Sequence, residues 1–121
     1  ATGSAKKYFS DQSNGSYSPV FDVVGPVNVS KNMSYYGQND ANDEDMYVGD
    51  LVEEACSLAN TQFSVDFSQY DGNQDGFVDF VYILYAGYGE NITGSDPSTI
   101  WPHNFYMEYF FPDQKSVIIQ F

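Results

Sequence analysis

The chain has 121 residues, enough for one domain or part of one, because a single hydrophobic core typically organises about 100–200 residues. Apolar residues make up 42% and aromatic residues 18% of the sequence, which excludes an intrinsically disordered acidic tail. Seventeen acidic against four basic side chains give a formal net charge of −13, which the phosphates of nucleic acids and anionic membranes would repel.

Membrane insertion is not expected either. No apolar run approaches the roughly 18–20 residues that a membrane-spanning helix needs. The sequence also opens without a basic and apolar leader, so we expect any export signal to be missing from it. We therefore expect a globular protein that binds no nucleic acid and does not insert into a membrane.

The first third of the chain predicts a short helix followed by extended segments. Apolar residues recur at helical spacing in 1–13, which predicts a short helix there. The segment 20–29 is rich in valine but is interrupted by Gly25-Pro26, so it predicts two short extended pieces near a sheet edge. A polar loop is expected over 34–42.

The clearest predicted element is an amphipathic helix that starts near Asp43. Its apolar stripe, at 3.6-residue spacing, consists of Val48, Leu51, Val52, Ala55, Leu58 and Ala59. Asp43, Glu44 and Asp45 would occupy the first turn, where the positive end of the helix dipole favours carboxylates. Cys56 takes an apolar position with no basic neighbour in sequence, which favours a small core residue over a reactive thiol.

The second half of the chain predicts strands. The segment 77–86 is nearly all β-branched or aromatic, which is typical of a strand buried on both faces in the middle of a sheet. After a glycine-rich loop, 105–111 and 117–121 predict two further strands. Together with the helix, these strands predict an α/β or α+β fold, with a mixed β-sheet and one main amphipathic helix. We expect 1–121 to be a single domain or a fragment of one.

A calcium-binding loop is predicted just before the central strand. Side-chain oxygens at positions 1, 3, 5 and 9, a backbone carbonyl at position 7 and a glycine at position 6 match the front half of such a loop. The corresponding residues are Asp71, Asn73, Asp75, Asp79, Phe77 through its carbonyl, and Gly76. Position 12 is Tyr82 rather than a bidentate glutamate, so further ligands would come from elsewhere, such as Asp66, a backbone carbonyl or water.

The alternative interpretation of this loop is an Asx-rich turn whose carboxylates are only solvated. Calcium is favoured because three carboxylates within nine residues repel one another unless a cation lies among them.

The single histidine, His103, follows Trp101-Pro102. One histidine cannot supply a catalytic zinc site, which takes three protein ligands. Neither H-E-x-x-H nor G-x-S-x-G occurs in the sequence. A packed or surface imidazole held by the Trp-Pro turn is therefore favoured over a catalytic role.

Several sequence blocks, taken together and in order, resemble the M6 family of secreted bacterial metallopeptidases, the immune inhibitor A group. The blocks are Phe21-Asp22-Val23-Val24-Gly25-Pro26-Val27, Tyr35-Tyr36-Gly37, Val65-Asp66-Phe67-Ser68-Gln69-Tyr70-Asp71, Asp75-Gly76-Phe77-Val78-Asp79, Tyr85-Ala86-Gly87-Tyr88-Gly89 and Ile100-Trp101-Pro102-His103. The opening Gly3-Ser4 and Tyr8-Phe9 are also similar to the stretch that precedes these blocks in the family. The resemblance spans about residues 1–103.

The resemblance implies part of a zinc-dependent endopeptidase catalytic domain, with a zincin-like N-terminal sheet subdomain, calcium stabilisation and protein or peptide substrates. It also implies a protein made with a propeptide and secreted, so that it is extracellular or at the cell surface. In the family the H-E-x-x-H helix lies downstream of the Ile-Trp-Pro-His block. Zinc is therefore expected in the parent enzyme and not on this chain, and we assign no catalytic residue and expect this chain alone to be inactive.

Two alternatives stay open at the level of sequence. The first is a non-catalytic, calcium-stabilised extracellular binding module. The second is a globular domain that binds no metal.

Overall fold

The computed structural model describes residues 3–104, 107–110 and 116–118. Most of the regular structure in these residues is helical. The helices are α1 (Ala5–Gln12), α2 (Met33–Tyr36), α3 (Val48–Phe63) and α4 (Glu90–Thr93), with a 3₁₀ helix at Phe67–Tyr70. Two short strands, β1 (Glu108–Phe110) and β2 (Ser116–Ile118), complete the described elements. In this part of the chain, no helix has both the length and the apolar character needed to span a membrane.

Helix α1 confirms the short helix predicted near the start of the chain. The Ser4 side chain caps it by accepting a 3.1 Å hydrogen bond from the backbone N–H of Lys7. Lys7 also forms an exposed ion pair with Asp11, one turn further along, at 2.7 Å. No residue of α1 is buried, so local interactions contribute more to this helix than core packing does.

Helix α3 confirms the amphipathic helix, and its buried residues are Leu51, Val52, Ala55 and Cys56. The helix ends where Ser64 adopts a left-handed conformation (φ 56°) and donates its backbone N–H to the carbonyl of Asn60.

The predicted start of α3 is wrong, because the helix begins at Val48 and not near Asp43. Asp43 has a φ of 61°, which is incompatible with a right-handed helix. Asp45 instead pairs with Asn39 in an isolated antiparallel bridge. The acidic residue in the first turn of α3 is Asp50.

The core consists of two clusters on neighbouring parts of α3. We define the first cluster as Val52, Cys56, Phe67 and Val78. We define the second cluster as Tyr36, Leu51 and Ile100. Because α3 supplies residues to both clusters, it joins the loop before 77–86 to the block that contains Trp101 and His103.

The predicted α/β or α+β fold with a mixed β-sheet is wrong. In the described residues the only strand ladder is the antiparallel pair β1–β2, in which Tyr109 lies opposite Val117. The segments 20–29 and 77–86 contain no strand, although both were predicted to be extended parts of a sheet. The strands predicted over 105–111 and 117–121 overlap β1 and β2. Met107 precedes β1 without being part of a strand, and the other remaining positions of those ranges lie outside the described residues.

The segment 77–86 also fails to be buried on both faces. Val81 and Ile83 are partly buried and pack against the first cluster. Phe80, Tyr82 and Leu84 are exposed, with 93% of Leu84 accessible. A high β propensity means only that a side chain suits a pleated, half-buried surface. The alternation of this segment satisfies that preference without a paired strand in the described part of the chain.

Candidate functional site

The loop predicted to bind calcium, 71–79, follows the 3₁₀ helix. Asp66 caps this helix by accepting hydrogen bonds from the Ser68 backbone N–H (3.0 Å) and hydroxyl (2.6 Å). Hydrogen bonds from Ser68, and from the side chain of Gln69, lower the pKa of the Asp66 carboxyl. Asp66, which was considered as a further calcium ligand, therefore serves as a helix cap.

The 71–79 loop is closed by hydrogen bonds from backbone N–H groups to its own acidic side chains. Asp71 is buried, and its two carboxylate oxygens accept from the N–H groups of Asp75 and Gly76, both at 3.0 Å. Asp75 accepts from Phe77 at 2.9 Å. Asp79 accepts from Gly72 at 2.9 Å, which ties the end of the loop to its beginning.

The loop backbone has the shape that such a short closure requires. Gln74 and Gly76 have positive φ values of 60° and 99°. Gly72 lies so close to Asp79 that an added Cβ would meet its Oδ2 at 2.8 Å. The structure thus brings Asp71, Asn73, Asp75 and Asp79 into one tight loop.

Calcium binding by this loop stays a prediction. Asx-type hydrogen bonds hold the loop, as the alternative interpretation expects. An ionised carboxylate has about four acceptor positions, so one or two N–H donors do not exhaust it. Within the described ranges, however, no three His, Cys, Asp or Glu side chains are grouped in a way that could hold a metal ion.

A second polar site lies at the other end of α3, around His103. Its Nε2 lies 2.5 Å from Oδ2 of Asp45, whose side chain is completely buried. The same oxygen accepts a 2.8 Å hydrogen bond from the backbone N–H of Trp101. His103 is a packed, partly buried imidazole, as predicted. It is held by Asp45 as well as by the Trp-Pro turn.

Sequence reasoning missed Asp45 as the partner of His103 because it placed Asp45 in the first turn of α3. The two residues are separated by 58 positions along the chain. The sequence around Asp45 contains no basic residue with which it could pair. This observation suggests a distant partner for Asp45 but does not identify His103.

A cavity of about 260 Å³ lies beside this pair. Its lining is mostly apolar and aromatic, with His103 as a polar member: Val48, Leu51, Tyr82, Ile83, Tyr85, Ile100, Trp101, Pro102 and His103. The Tyr85 hydroxyl donates to the carbonyl of Ile100 at 2.9 Å, so its polar end is already bonded. The cavity could accept an apolar group of about the size of one side chain.

Cys56 is a core residue, as predicted. It is buried in the first cluster, and burial raises the pKa of its thiol to about 12. Because the thiolate is the nucleophilic form, the folded protein keeps this cysteine unreactive.

The residues present do not fit a catalytic zinc site. The sequence contains one histidine and one cysteine, whereas catalytic zinc takes three protein ligands. Neither the 71–79 loop nor the surroundings of His103 supply three such ligands among the residues that the structure describes. The described residues therefore provide no set of side chains that could carry out a zinc-dependent step.

Comparison with known proteins identifies the family. A family model described as "Immune inhibitor A peptidase M6, catalytic domain" matches residues 1–114. The pre-pro-metalloprotease PrtV of Vibrio cholerae serotype O1, from strains M66-2 and El Tor Inaba N16961, is 30% identical over 118 residues, covering 84% of this chain and 13% of the relative. Immune inhibitor A of Bacillus thuringiensis subsp. alesti is 31% identical over 117 residues, covering 81% of this chain and 17% of the relative.

No solved structure matches the chain. The chain spans only 13% and 17% of the length of these relatives. The activities of the whole relatives are therefore not shown for this chain. The family resemblance inferred from the sequence blocks is nevertheless confirmed, since the family model covers almost the whole chain. The chain belongs to the M6 peptidases, the family of immune inhibitor A.

Proposed function

We propose that the chain is part of a secreted zinc-dependent endopeptidase that hydrolyses peptide bonds in protein or peptide substrates outside the cell. The observation that carries this proposal is the match of residues 1–114 to the catalytic domain of M6 peptidases. The metalloprotease named in Vibrio cholerae gives it further support. Two statements here are proposals: that the parent enzyme hydrolyses peptide bonds, and that it does so outside the cell.

Within that enzyme the chain would contribute scaffold and not the zinc-binding helix. This role is supported by the content of the sequence, which has one histidine and no H-E-x-x-H. The two clusters on α3 would hold the 71–79 loop and the Trp101–His103 block in fixed positions. We expect the 121 residues alone to hydrolyse no peptide.

We also propose that the 71–79 loop binds one structural calcium ion through Asp71, Asn73, Asp75, Asp79 and the carbonyl of Phe77. The loop has an alternating order of oxygen-bearing residues that suits a hard cation. Among the described residues, no Lys or Arg forms an ion pair with Asp75 or Asp79. Calcium would relieve the repulsion between these carboxylates and so stabilise the loop.

The peptidase proposal is tested with the parent polypeptide and the 121-residue chain side by side. Both are incubated with a quenched fluorescent peptide and with casein, with and without 1,10-phenanthroline. Cleavage by the parent alone, lost with the chelator and restored by Zn²⁺, supports the proposal. A folded parent, freed of its propeptide, that binds calcium and cleaves nothing would instead identify a non-catalytic extracellular binding module.

The calcium proposal is tested by thermal unfolding of the chain. A ligand of the native state raises the unfolding midpoint as its concentration grows. We expect Ca²⁺ to raise the midpoint of the wild-type chain and of Asp43→Asn, an exposed change of equal charge, but to have a smaller effect on Asp75→Asn. Equal responses of all three proteins to Ca²⁺ would rule out the loop as the site.

A further inference from the structure

A closed ring of contacts joins three oxygen-bearing side chains near the end of α2, of which two are buried and that of Asn39 is partly buried. Asn39 pairs with Asp45 in the antiparallel bridge, and its side-chain Nδ2 donates to Oε1 of Glu90 at 2.8 Å. The backbone N–H of Glu90 donates to the carbonyl of Ile100 at 2.9 Å. Trp101, the next residue, donates to Asp45 and so closes the ring.

Each of these three side chains also has an oxygen with no partner. Oδ1 of Asn39, Oδ1 of Asp45 and Oε2 of Glu90 are inaccessible to solvent and accept no hydrogen bond from the residues described. Glu90 is 0% exposed and Asp45 is 9% exposed. Buried polar groups in proteins are hydrogen-bonded in the great majority of cases, so three such oxygens in one ring call for an explanation.

The bridge and the hydrogen bond place the three side chains next to one another. Residues directly opposite in an antiparallel pair have their side chains on the same face, with Cβ atoms about 4.5–5.5 Å apart. Asn39 and Asp45 are such a pair, and the amide of Asn39 reaches Glu90 on its other side. Asn39 is therefore a neighbour of both carboxylate residues.

The charge of the ring is also unbalanced. His103 contacts Asp45, but no Lys or Arg of the described residues forms an ion pair with Glu90. Removing an isolated carboxylate from water is strongly unfavourable unless a counter-charge accompanies it. A water molecule could satisfy an oxygen with a hydrogen bond, but it would not neutralise Glu90.

We propose that Asn39, Asp45 and Glu90 bind one hard cation of the calcium class. Carboxylate and amide oxygens are the ligands that such cations take, with backbone carbonyls and water completing the shell. This site is separate from the 71–79 loop and does not rest on the proposed function. Its role would be to hold the bridge at Asn39, helix α4 and the Trp101–His103 block together.

The test uses Tb³⁺ as a luminescent substitute for Ca²⁺ in the full chain. Trp101 is the single tryptophan and its backbone N–H contacts Asp45, so excitation at the red edge of tryptophan absorption sensitises Tb³⁺ bound in the ring at short range. The measurement is made in Asp75→Asn protein, in which the proposed loop site has lost one of its three carboxylates. Glu90→Gln and, as a control of equal charge on the exposed neighbour, Glu44→Gln are added to that background.

We expect sensitised emission that saturates with Tb³⁺, is displaced by Ca²⁺, and is unchanged in Glu44→Gln. In Glu90→Gln the apparent affinity should fall at least tenfold. An unchanged affinity in folded Glu90→Gln protein would overturn the proposal.

Equilibrium dialysis of the Asp75→Asn protein against Ca²⁺ keeps the proposal testable if Glu90→Gln fails to fold. We expect one bound ion per chain. Zero bound ions in the folded Asp75→Asn protein would overturn the site. The dialysis is done at a Ca²⁺ concentration too low to fill the weakened loop site, so a failure of the loop proposal does not affect this result.

Discussion

The hydroxyl of Tyr36 donates a 2.6 Å hydrogen bond to Oε2 of Glu54, across the contact between α2 and α3. The other carboxylate oxygen of Glu54 accepts from the backbone N–H of Ser30, also at 2.6 Å. The bond from Tyr36 is the main reason that the pKa of Glu54 lies below its ordinary value of 4.5, and burial is the main reason that the pKa of Tyr36 is raised above 10.0. One carboxylate thus joins the 30–36 segment to α3.

We expect Tyr36→Phe to lower the free energy of unfolding by about 1.5–3 kcal/mol, the usual contribution of a hydrogen bond to a charged group. The measurement is urea unfolding at pH 7. The matched control is Tyr82→Phe, which removes the hydroxyl of an exposed tyrosine and should have little effect. Equal losses in both variants would contradict this account of the bond.

The lowered pKa of Glu54 predicts how the free energy of unfolding depends on pH. Because its pKa is lower in the folded state, its contribution is fully present above the unfolded pKa and is lost as the pH falls through the folded pKa. We expect the stability of the wild type to fall more steeply than that of Glu54→Gln as the pH drops below about 4.5. Unfolding curves between pH 6 and pH 3 measure this difference, and parallel curves would argue against it. Glu53→Gln, one residue away on the same helix, serves as the control.

Two leucine substitutions test which side chains of the fold are buried. Leu51→Ala removes a buried side chain of the second cluster and should cost about 2–5 kcal/mol. Leu84→Ala makes the same change at an exposed position and should alter stability by less than about 0.5 kcal/mol. Urea unfolding of the 121-residue chain distinguishes them. A large loss from Leu84→Ala would indicate that 77–86 is buried on both faces after all.

Two glycine substitutions should have opposite effects. A Cβ at Gly37 would lie 2.0 Å from the backbone carbonyl oxygen of Thr99, which cannot move aside alone, so Gly37→Ala should destabilise the chain by more than about 1 kcal/mol. Gly49 lies inside α3 with only Met107 Sδ at 4.0 Å, so Gly49→Ala should stabilise the helix by up to about 1 kcal/mol. Thermal unfolding measures both signs, and a gain in stability from Gly37→Ala would show that the segments do not approach so closely.

The raised pKa of the buried Cys56 thiol predicts that this residue is modified slowly in the folded protein. With a pKa of about 12, the folded protein has very little thiolate at pH 8, so iodoacetamide should modify Cys56 only through unfolding. The shift also implies that stability falls as the pH rises above the unfolded value near 9.0. The rate of alkylation with and without urea measures the first effect. Equal rates in both conditions would mean that Cys56 is accessible in the native state.

Local patterns in the sequence predicted the helices well and the sheet badly. The stripe that contains Leu51, Val52 and Ala55 predicted α3 because helical periodicity is set by residues close in sequence. The run 77–86 predicted a strand because its residues suit one, but a strand exists only with a hydrogen-bonded neighbour, and that neighbour is a non-local property. The start of α3 was misplaced because the positive φ of Asp43 leaves no clear trace in the sequence.

The candidate sites divide in the same way. The 71–79 loop was found from its spacing, since all of its oxygens lie within nine consecutive residues. The ring of Asn39, Asp45 and Glu90 was not found, because its members lie up to 51 positions apart and meet only through the fold. The spacing rule could therefore detect a continuous ligand loop but not a discontinuous ring.

Helix α3 links the local unfolding of the two core clusters. Leu51 belongs to one cluster and its neighbour Val52 to the other, so neither cluster can separate from the helix without disturbing a turn that the other uses. Local fluctuations at the two ends of the protein should thus be energetically linked. In hydrogen exchange, the amides in the middle of α3 should share a single opening free energy, whichever cluster is weakened by substitution.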